Sequence, residues 1–214
     1  MSISTEPQAT AAPETLTKCH ARTGEAMYTI EAPSDDALRG TMQRAREAAA
    51  AVRAMSVAER VAEVDKLRRY FVDHAEELVA KLVAENGKCE TDALVGDVWT
   101  VLDLIHYYMR NTEKMLADEK VETPLLMLGK KSKIIYSPLG VVLVISPWNY
   151  PINTAITPAL CAFLAGNSVV IKPSEATPMH GLLDTALRES GFMPEGMQVV
   201  MGGRNTGRKL IDLQ

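Results

Sequence analysis

The sequence predicts an α/β protein in which a helical N-terminal layer precedes an incomplete, doubly wound parallel sheet. Three observations predict it. Apolar residues recur at helical spacing from Leu38 to about Leu116, three short β-branched runs follow at 140–146, 167–172 and 197–201, and helical segments separate those runs. Runs that are apolar on consecutive residues belong to parallel sheets, so both faces of the 140–146 strand are expected to be covered.

Each element has its own signal. Residues 1–18 are small, polar and mildly acidic, and read as a loose tail, so that 1–20 forms a flexible lead-in and 21–214 the folded unit. Met27-Tyr28-Thr29-Ile30 is a short strand. Ser34-Asp35-Asp36 caps a helix whose inward positions include Leu38, Met42, Ala45, Ala49 and Val52. Ser56-x-x-Glu59 is a capping-box pattern, and Val61, Val64, Leu67, Phe71, Leu78 and Leu82 carry one stripe on to a left-handed stop at Asn86-Gly87. A third helix is expected from about Glu90 to Leu116, with Val98, Val101, Leu102, Ile105 and Tyr108 inward, which places the helices at about 35–118.

After Thr123-Pro124 the character changes. Lys133-Ile134-Ile135-Tyr136 is strand-like, and a βαβαβ unit is expected over about 133–214: the 140–146 strand, a helix over 152–164 interrupted by Pro158, the 167–172 strand, a crossover helix over 178–188 and the 197–201 strand. This is half of a Rossmann-like sheet.

Bulk properties narrow the function. A net charge of −4 and a pI of about 5.6 give no basic field for nucleic acid or an anionic membrane surface. The longest apolar run is far too short to span a bilayer, and nothing at the start resembles a signal or transit peptide. Cys19, Cys89 and Cys161 are odd in number, widely spaced and without metal-ligand spacing, which fits a reducing, cytoplasmic setting with neither disulfides nor a metal site. His20, His74, His106 and His180 likewise show no ligand spacing, and Cys161 sits among apolar neighbours as an inert thiol would.

Three polar segments follow the three strands: Ser146-Pro147-Trp148-Asn149-Tyr150-Pro151, Lys172-Pro173-Ser174-Glu175, and Gly202-Gly203 with Gly207. Ligands of open α/β sheets bind outside the carboxyl ends of the strands, so these loops converge on one crevice. Asn149 is either the cap of the helix that follows or an amide donor to a developing oxyanion. Trp148 and Tyr150 either line an apolar passage or pack. Lys172 and Glu175 are either a solvated lysine and a carboxylate favouring a helix start, or a pair bracketing ribose hydroxyls. The three glycines free the backbone near a helix start, where phosphate can be held, although the spacing is not G-x-G-x-x-G and serves a turn equally well.

Pro138-Leu139-Gly140-Val141-Val142, the Pro-Trp-Asn-Tyr-Pro segment, Gly166-Asn167 and Lys172-Pro173-Ser174-Glu175, in that order and spacing, resemble the aldehyde dehydrogenase superfamily. The likeness runs from about Ser34 to the end and includes Arg60 and Glu85-x-Gly87-Lys88; the 123–138 stretch looks most like the class 3 branch for fatty and aromatic aldehydes. The resemblance implies NAD or NADP as cofactor and an aldehyde substrate oxidised to a carboxylic acid through a thiohemiacetal and hydride transfer. It implies Asn149 as oxyanion donor, and Ser146, Pro147, Trp148, Lys172, Ser174, Glu175, Gly202, Gly203 and Gly207 as cofactor contacts. A carboxylate near the 2′-hydroxyl favours NAD and a cation admits the 2′-phosphate of NADP; both are present, so the choice stays open.

The same likeness implies what is missing. No Gly-Ser-Thr segment, general-base glutamate or nucleophilic cysteine of the family's kind follows the third strand. The chain is therefore expected to be an N-terminal fragment, without the catalytic and C-terminal oligomerisation parts and inactive alone, with an unpaired sheet edge. A complementing or full-length homologous chain is the expected partner. The alternative is a non-catalytic nucleotide-binding or interaction module.

Overall fold

The computed structural model describes residues 14–213. The tail expected over 1–20 lies outside the described residues up to position 13, and from Thr15 it is corrected. β1 (Thr15–Cys19) pairs antiparallel with β2 (Ala26–Glu31), with Thr15 opposite Glu31 and Leu16 opposite Ile30. Only a five-residue alternation marks β1, too short to stand out against a polar, acidic lead-in.

The next helices form where their caps and stripes predict. α1 (Asp35–Ala54) starts on Ser34, whose side chain accepts from the Ala37 N–H, and buries Leu38, Met42, Ala45, Ala48 and Val52. α2 (Val57–Asp73) starts on the full Ser56/Glu59 capping box. Ser56→Ala removes one half of that reciprocal pair and is expected to cost about 1 kcal/mol. Urea denaturation checks this; an unchanged midpoint overturns it.

Two expected continuous helices are broken. The stripe through Leu82 divides at His74 into α2 and α3 (Ala75–Asn86), because His74 leaves helical geometry with its ring stacked on Tyr70 at 3.9 Å and Nδ1 2.9 Å from Tyr70 O. Phe71 and Leu78 lie seven residues apart, so the stripe keeps its phase across the break. Gly87, at φ +84°, is the left-handed stop. Beyond it, α4 (Glu90–Ala93) and α5 (Thr100–Met115) are joined by a π-helical turn, Leu94–Trp99, in place of one α-helix. The wider turn buries Asp97 and Val98 while Leu94, Val95 and Trp99 face outward.

β3 (Glu119–Val121) and β4 (Ser132–Ile134) form a separate antiparallel hairpin whose tip exposes Leu125, Leu126 and Leu128. The strand expected at 133–136 thus belongs to this hairpin, and the βαβαβ unit begins at Val141 instead of about 133. The parallel sheet has the order β5-β6-β7, from β5 (Val141–Ile145), β6 (Ser168–Lys172) and β7 (Met197–Val199). Val141 pairs with Ser168, Ile145 with Lys172, and Val169 with Met197.

α6 (Pro151–Leu164), α7 (Leu182–Glu189) and α8 (Arg204–Asp212) complete the unit. α6 runs through Pro158 without interruption: a proline there removes one rung, while Ile156, Ala159, Leu160 and Phe163 stay buried on either side. The crossover helix starts at Leu182 and not at 178, because Met179 (φ +50°) and Gly181 (φ +75°) turn the chain first.

The core lies on both sides of β6. Phe71, Ile105, Ile156, Phe163, Val169 and Ile171 share the larger cluster, and α1 and α8 cover the other face through Leu38, Met42, Val170 and Leu210. β6 is buried along its whole length. β5 is less buried, since among the described residues it is an edge strand and Ile145 is 47% exposed, but both its faces are covered as expected, Val142 and Val144 by the larger cluster and Val141 and Leu143 by the other. No helix among the described residues is long and apolar enough to cross a membrane.

Candidate functional site

The three sequence-predicted segments leave the C-terminal ends of three adjacent strands, and bonds tie them together. The Ser146 N–H donates to Lys172 O at 3.1 Å, joining the first two loops at their roots, and the Val200 N–H donates to Ile171 O at 2.8 Å, bringing in the third. Gly207, in the first turns of α8, lies against the Lys172 stem, since a Cβ there would stand 3.4 Å from Lys172 Cδ.

Lys172 is 2% exposed, so it is not a solvated lysine. Its Nζ donates to Glu175 Oε2 at 3.1 Å and to Pro173 O at 3.0 Å. Partial burial pushes the Glu175 carboxyl up, but a backbone hydrogen bond, Lys172 and nearby Arg204 outweigh it and hold the carboxyl below its ordinary range. Glu175 does not serve the following helix, which begins seven residues later at Leu182. The lysine stem is thus held between backbone and α8 while the carboxylate, with its side chain 42% exposed, faces out.

Ser146 is buried, and its Oγ has no hydrogen-bond partner. A buried hydroxyl without a partner costs about 1–3 kcal/mol, so a polar ligand at this position relieves it. Gly202 takes φ +148° with the Thr206 side chain packed where its Cβ would be, a place only glycine fills. Ser174 turns inward on its own loop, accepting from the Ala176 N–H at 3.2 Å. These features fit a nucleotide: a charged pair for hydroxyls, an unpaired hydroxyl, and a glycine-opened helix start.

Asn149 lies outside any helix and is exposed, with its neighbours Pro147 and Trp148 exposed beside it. It does not cap α6, and its place as cap is taken by a residue that sequence reasoning missed. Asp97, wholly buried within the π-helical turn, accepts from the Ile152 and Asn153 N–H groups at 3.1 and 3.0 Å and pairs with Lys88 Nζ at 2.9 Å. A carboxylate at the positive end of α6 satisfies two otherwise unpaired donors and the helix dipole together. Lys88 Nζ also stands 3.5 Å from the Tyr150 ring centroid, and Gly96 lies under that ring with no room for a side chain.

α3 ties the Asn149 loop to the Lys172 loop. The Trp148 carbonyl, immediately before Asn149, accepts from Asn86 Nδ2 at 2.9 Å and Thr177 Oγ1 at 2.8 Å. Glu85, 1% exposed, accepts the Met179 N–H at 2.9 Å and so holds the strained turn that ends the Lys172 loop. Glu85 and Lys88 had a signal in the Glu-x-Gly-Lys sequence; Asp97 gave only an aspartate inside an apolar stripe. A cavity of about 640 Å³ lies elsewhere, against α3 and the π turn at Val79, Val83 and Leu94. Its lining, which includes Glu76, Glu90 and Thr91, shares no residue with the three loops, so the loops remain the candidate site. Among the described residues no group of His, Cys, Asp or Glu could hold a metal.

Residues 8–214 match the model of a family described as "Aldehyde dehydrogenase family". Among curated relatives, 4,4'-diapolycopene aldehyde oxidase of Methylomonas sp is 38% identical over 173 residues, covering 80% of this chain and 33% of that one. Aldehyde dehydrogenase family 3 member H1 of Arabidopsis thaliana is 38% identical over 153 residues, covering 72% of this chain and 32% of its own length. The chain thus spans about a third of the relatives it matches. Among solved structures, the NADP-dependent glyceraldehyde-3-phosphate dehydrogenase of Bacillus halodurans C-125, complexed with NADP, superposes with a TM-score of 0.83 at 27% identity, covering 92% of this chain and 42% of that one.

Proposed function

The chain belongs to the aldehyde dehydrogenase family, and from that premise we propose that its three loops bind NAD or NADP and present Asn149 to an aldehyde. Relatives whose names state an aldehyde activity and a structure holding NADP support this reading. The observation that carries it is the pairing of buried Lys172 with the exposed Glu175 carboxylate at the end of β6, with Ser146 Oγ unpaired just after β5.

Lys172 and Glu175 take the two hydroxyls of the adenosine ribose, one as donor and one as acceptor. Ser146 supplies a further hydrogen bond, and the ligand borders the start of α8, where Gly203 lies under the Glu14 carboxylate and Gly207 under the Lys172 stem. A nicotinamide held by these residues would supply the hydride acceptor for the oxidation. Asn149 donates to the oxygen on which charge develops, a contribution of about 3–4 kcal/mol for one preorganised donor. The reaction also needs a cysteine nucleophile beside Asn149, and the three loops contain no cysteine.

Calorimetric titration tests the reading. The wild-type chain is expected to bind NAD or NADP saturably, and Lys172→Ala to weaken that binding by about tenfold or more, the loss of a hydrogen bond to a charged donor. Saturable binding indifferent to Lys172→Ala, or no binding, defeats it.

A further inference from the structure

The β1–β2 hairpin touches both loops that flank the Lys172–Glu175 pair. Lys18 Nζ donates to Ala176 O at 2.6 Å, one residue past Glu175. Glu14 is anchored where its carbonyl accepts the Ala32 N–H at 2.7 Å. Its carboxylate rests on the start of α8, so close that a Cβ on Gly203 would stand 2.5 Å from Glu14 Oε1. The Gly207 N–H closes one turn back on Gly203 O, and Gly207 is where the lysine stem lies. At a rise of about 1.5 Å per residue, Glu14 is therefore roughly 6 Å along α8 from that stem.

We propose that Glu14 is a specificity-determining residue of the nucleotide cleft, its carboxylate opposing the 2′-phosphate of NADP and so favouring NAD. The inference rests on the nucleotide-binding reading above. Around the site stands a ring of charge: three cations, Lys18, Lys172 and Arg204, and two carboxylates, Glu175 and Glu14, so Glu14 holds the excess of positive charge to one. A ribose gripped by Lys172 and Glu175 presents its 2′ substituent to that ring. In NAD the substituent is a neutral hydroxyl. In NADP it is a phosphate carrying nearly two negative charges, and it meets a second carboxylate supplied by the residue just before β1. Groups this close interact within a Debye length of about 8 Å at physiological salt. Without Glu14 the ring gains a further positive charge, which draws the phosphate and leaves the hydroxyl unaffected.

The test titrates NAD and NADP calorimetrically, at low salt, into the wild-type chain, Glu14→Gln, and Glu25→Gln. Glu25 is a carboxylate at the turn end of the same hairpin and controls for net charge. Glu14→Gln is expected to tighten NADP about fivefold and NAD less than twofold, with Glu25→Gln moving neither. Equal effects on both nucleotides, equal effects of both substitutions, or no effect overturn the proposal. If no version of the chain binds either nucleotide, the nucleotide-binding reading itself has failed, and this one falls with it.

Discussion

Aldehyde and NAD supplied to the purified 214-residue chain are expected to give no NADH above background. Aldehyde oxidation in the manner proposed needs a thiolate beside the oxyanion donor, and none of the three cysteines stands on the three loops. Cys161 lies near the end of α6, about ten residues and therefore about 15 Å along the helix from its start beside Asn149. Cys19 closes β1 and Cys89 precedes α4, both exposed. Removing the nucleophile from a covalent enzyme costs on the order of a million-fold in turnover, so the expected deficit is of that size. The assay is absorbance at 340 nm with fatty and aromatic aldehydes. Turnover by the pure chain overturns the expectation. NADH formation that appears only when a chain carrying the cysteine and glutamate is added supports a complementing arrangement over a non-catalytic module.

The largest effect on stability is expected from Asp97→Ala. The substitution strips a wholly buried carboxylate from Lys88, whose side chain is 8% exposed, and orphans the Ile152 and Asn153 N–H groups. Breaking one partner out of a buried pair costs about 3–5 kcal/mol, a large part of the roughly 5–15 kcal/mol that holds a domain folded. Asp97→Asn, which keeps an oxygen for the two N–H groups and gives up the ion pair, is expected to lose less. Urea denaturation measures both. A loss under about 1 kcal/mol for Asp97→Ala would show that the carboxylate is not what holds α6 to the π turn.

What the sequence made legible follows from the range over which each interaction acts. The capping box at Ser56, the stop at Gly87 and the parallel strands are local patterns, readable because the residues that fix them are neighbours in the chain. Asn149, Lys172 and Glu175 were legible for a related reason: each follows a strand, and the sheet's topology alone sends such loops to one crevice. The π turn was not legible, because the apolar stripe continues on either side of it while one wider turn changes which residue faces inward. Asp97 met α6 across 55 residues, a contact with no trace in local spacing. The capping reading of Asn149 was reasonable on local grounds and lost to that distant carboxylate. β5 looked buried because its residues are apolar throughout; edge or centre is decided by the neighbours a strand has.

The Trp148 carbonyl, with Asn86 and Thr177 bonded to it together, has a consequence for anyone wishing to rebuild the molecule. A single oxygen serves as a hinge pin between the half that would recognise the dinucleotide and the half that would meet the carbonyl compound. Grafting a foreign loop onto positions 173–179 to change coenzyme choice would also leave the peptide plane just before Asn149 held by Asn86 alone unless a hydroxyl is retained at 177. The two preferences are wired to one atom, and must be redesigned as a set.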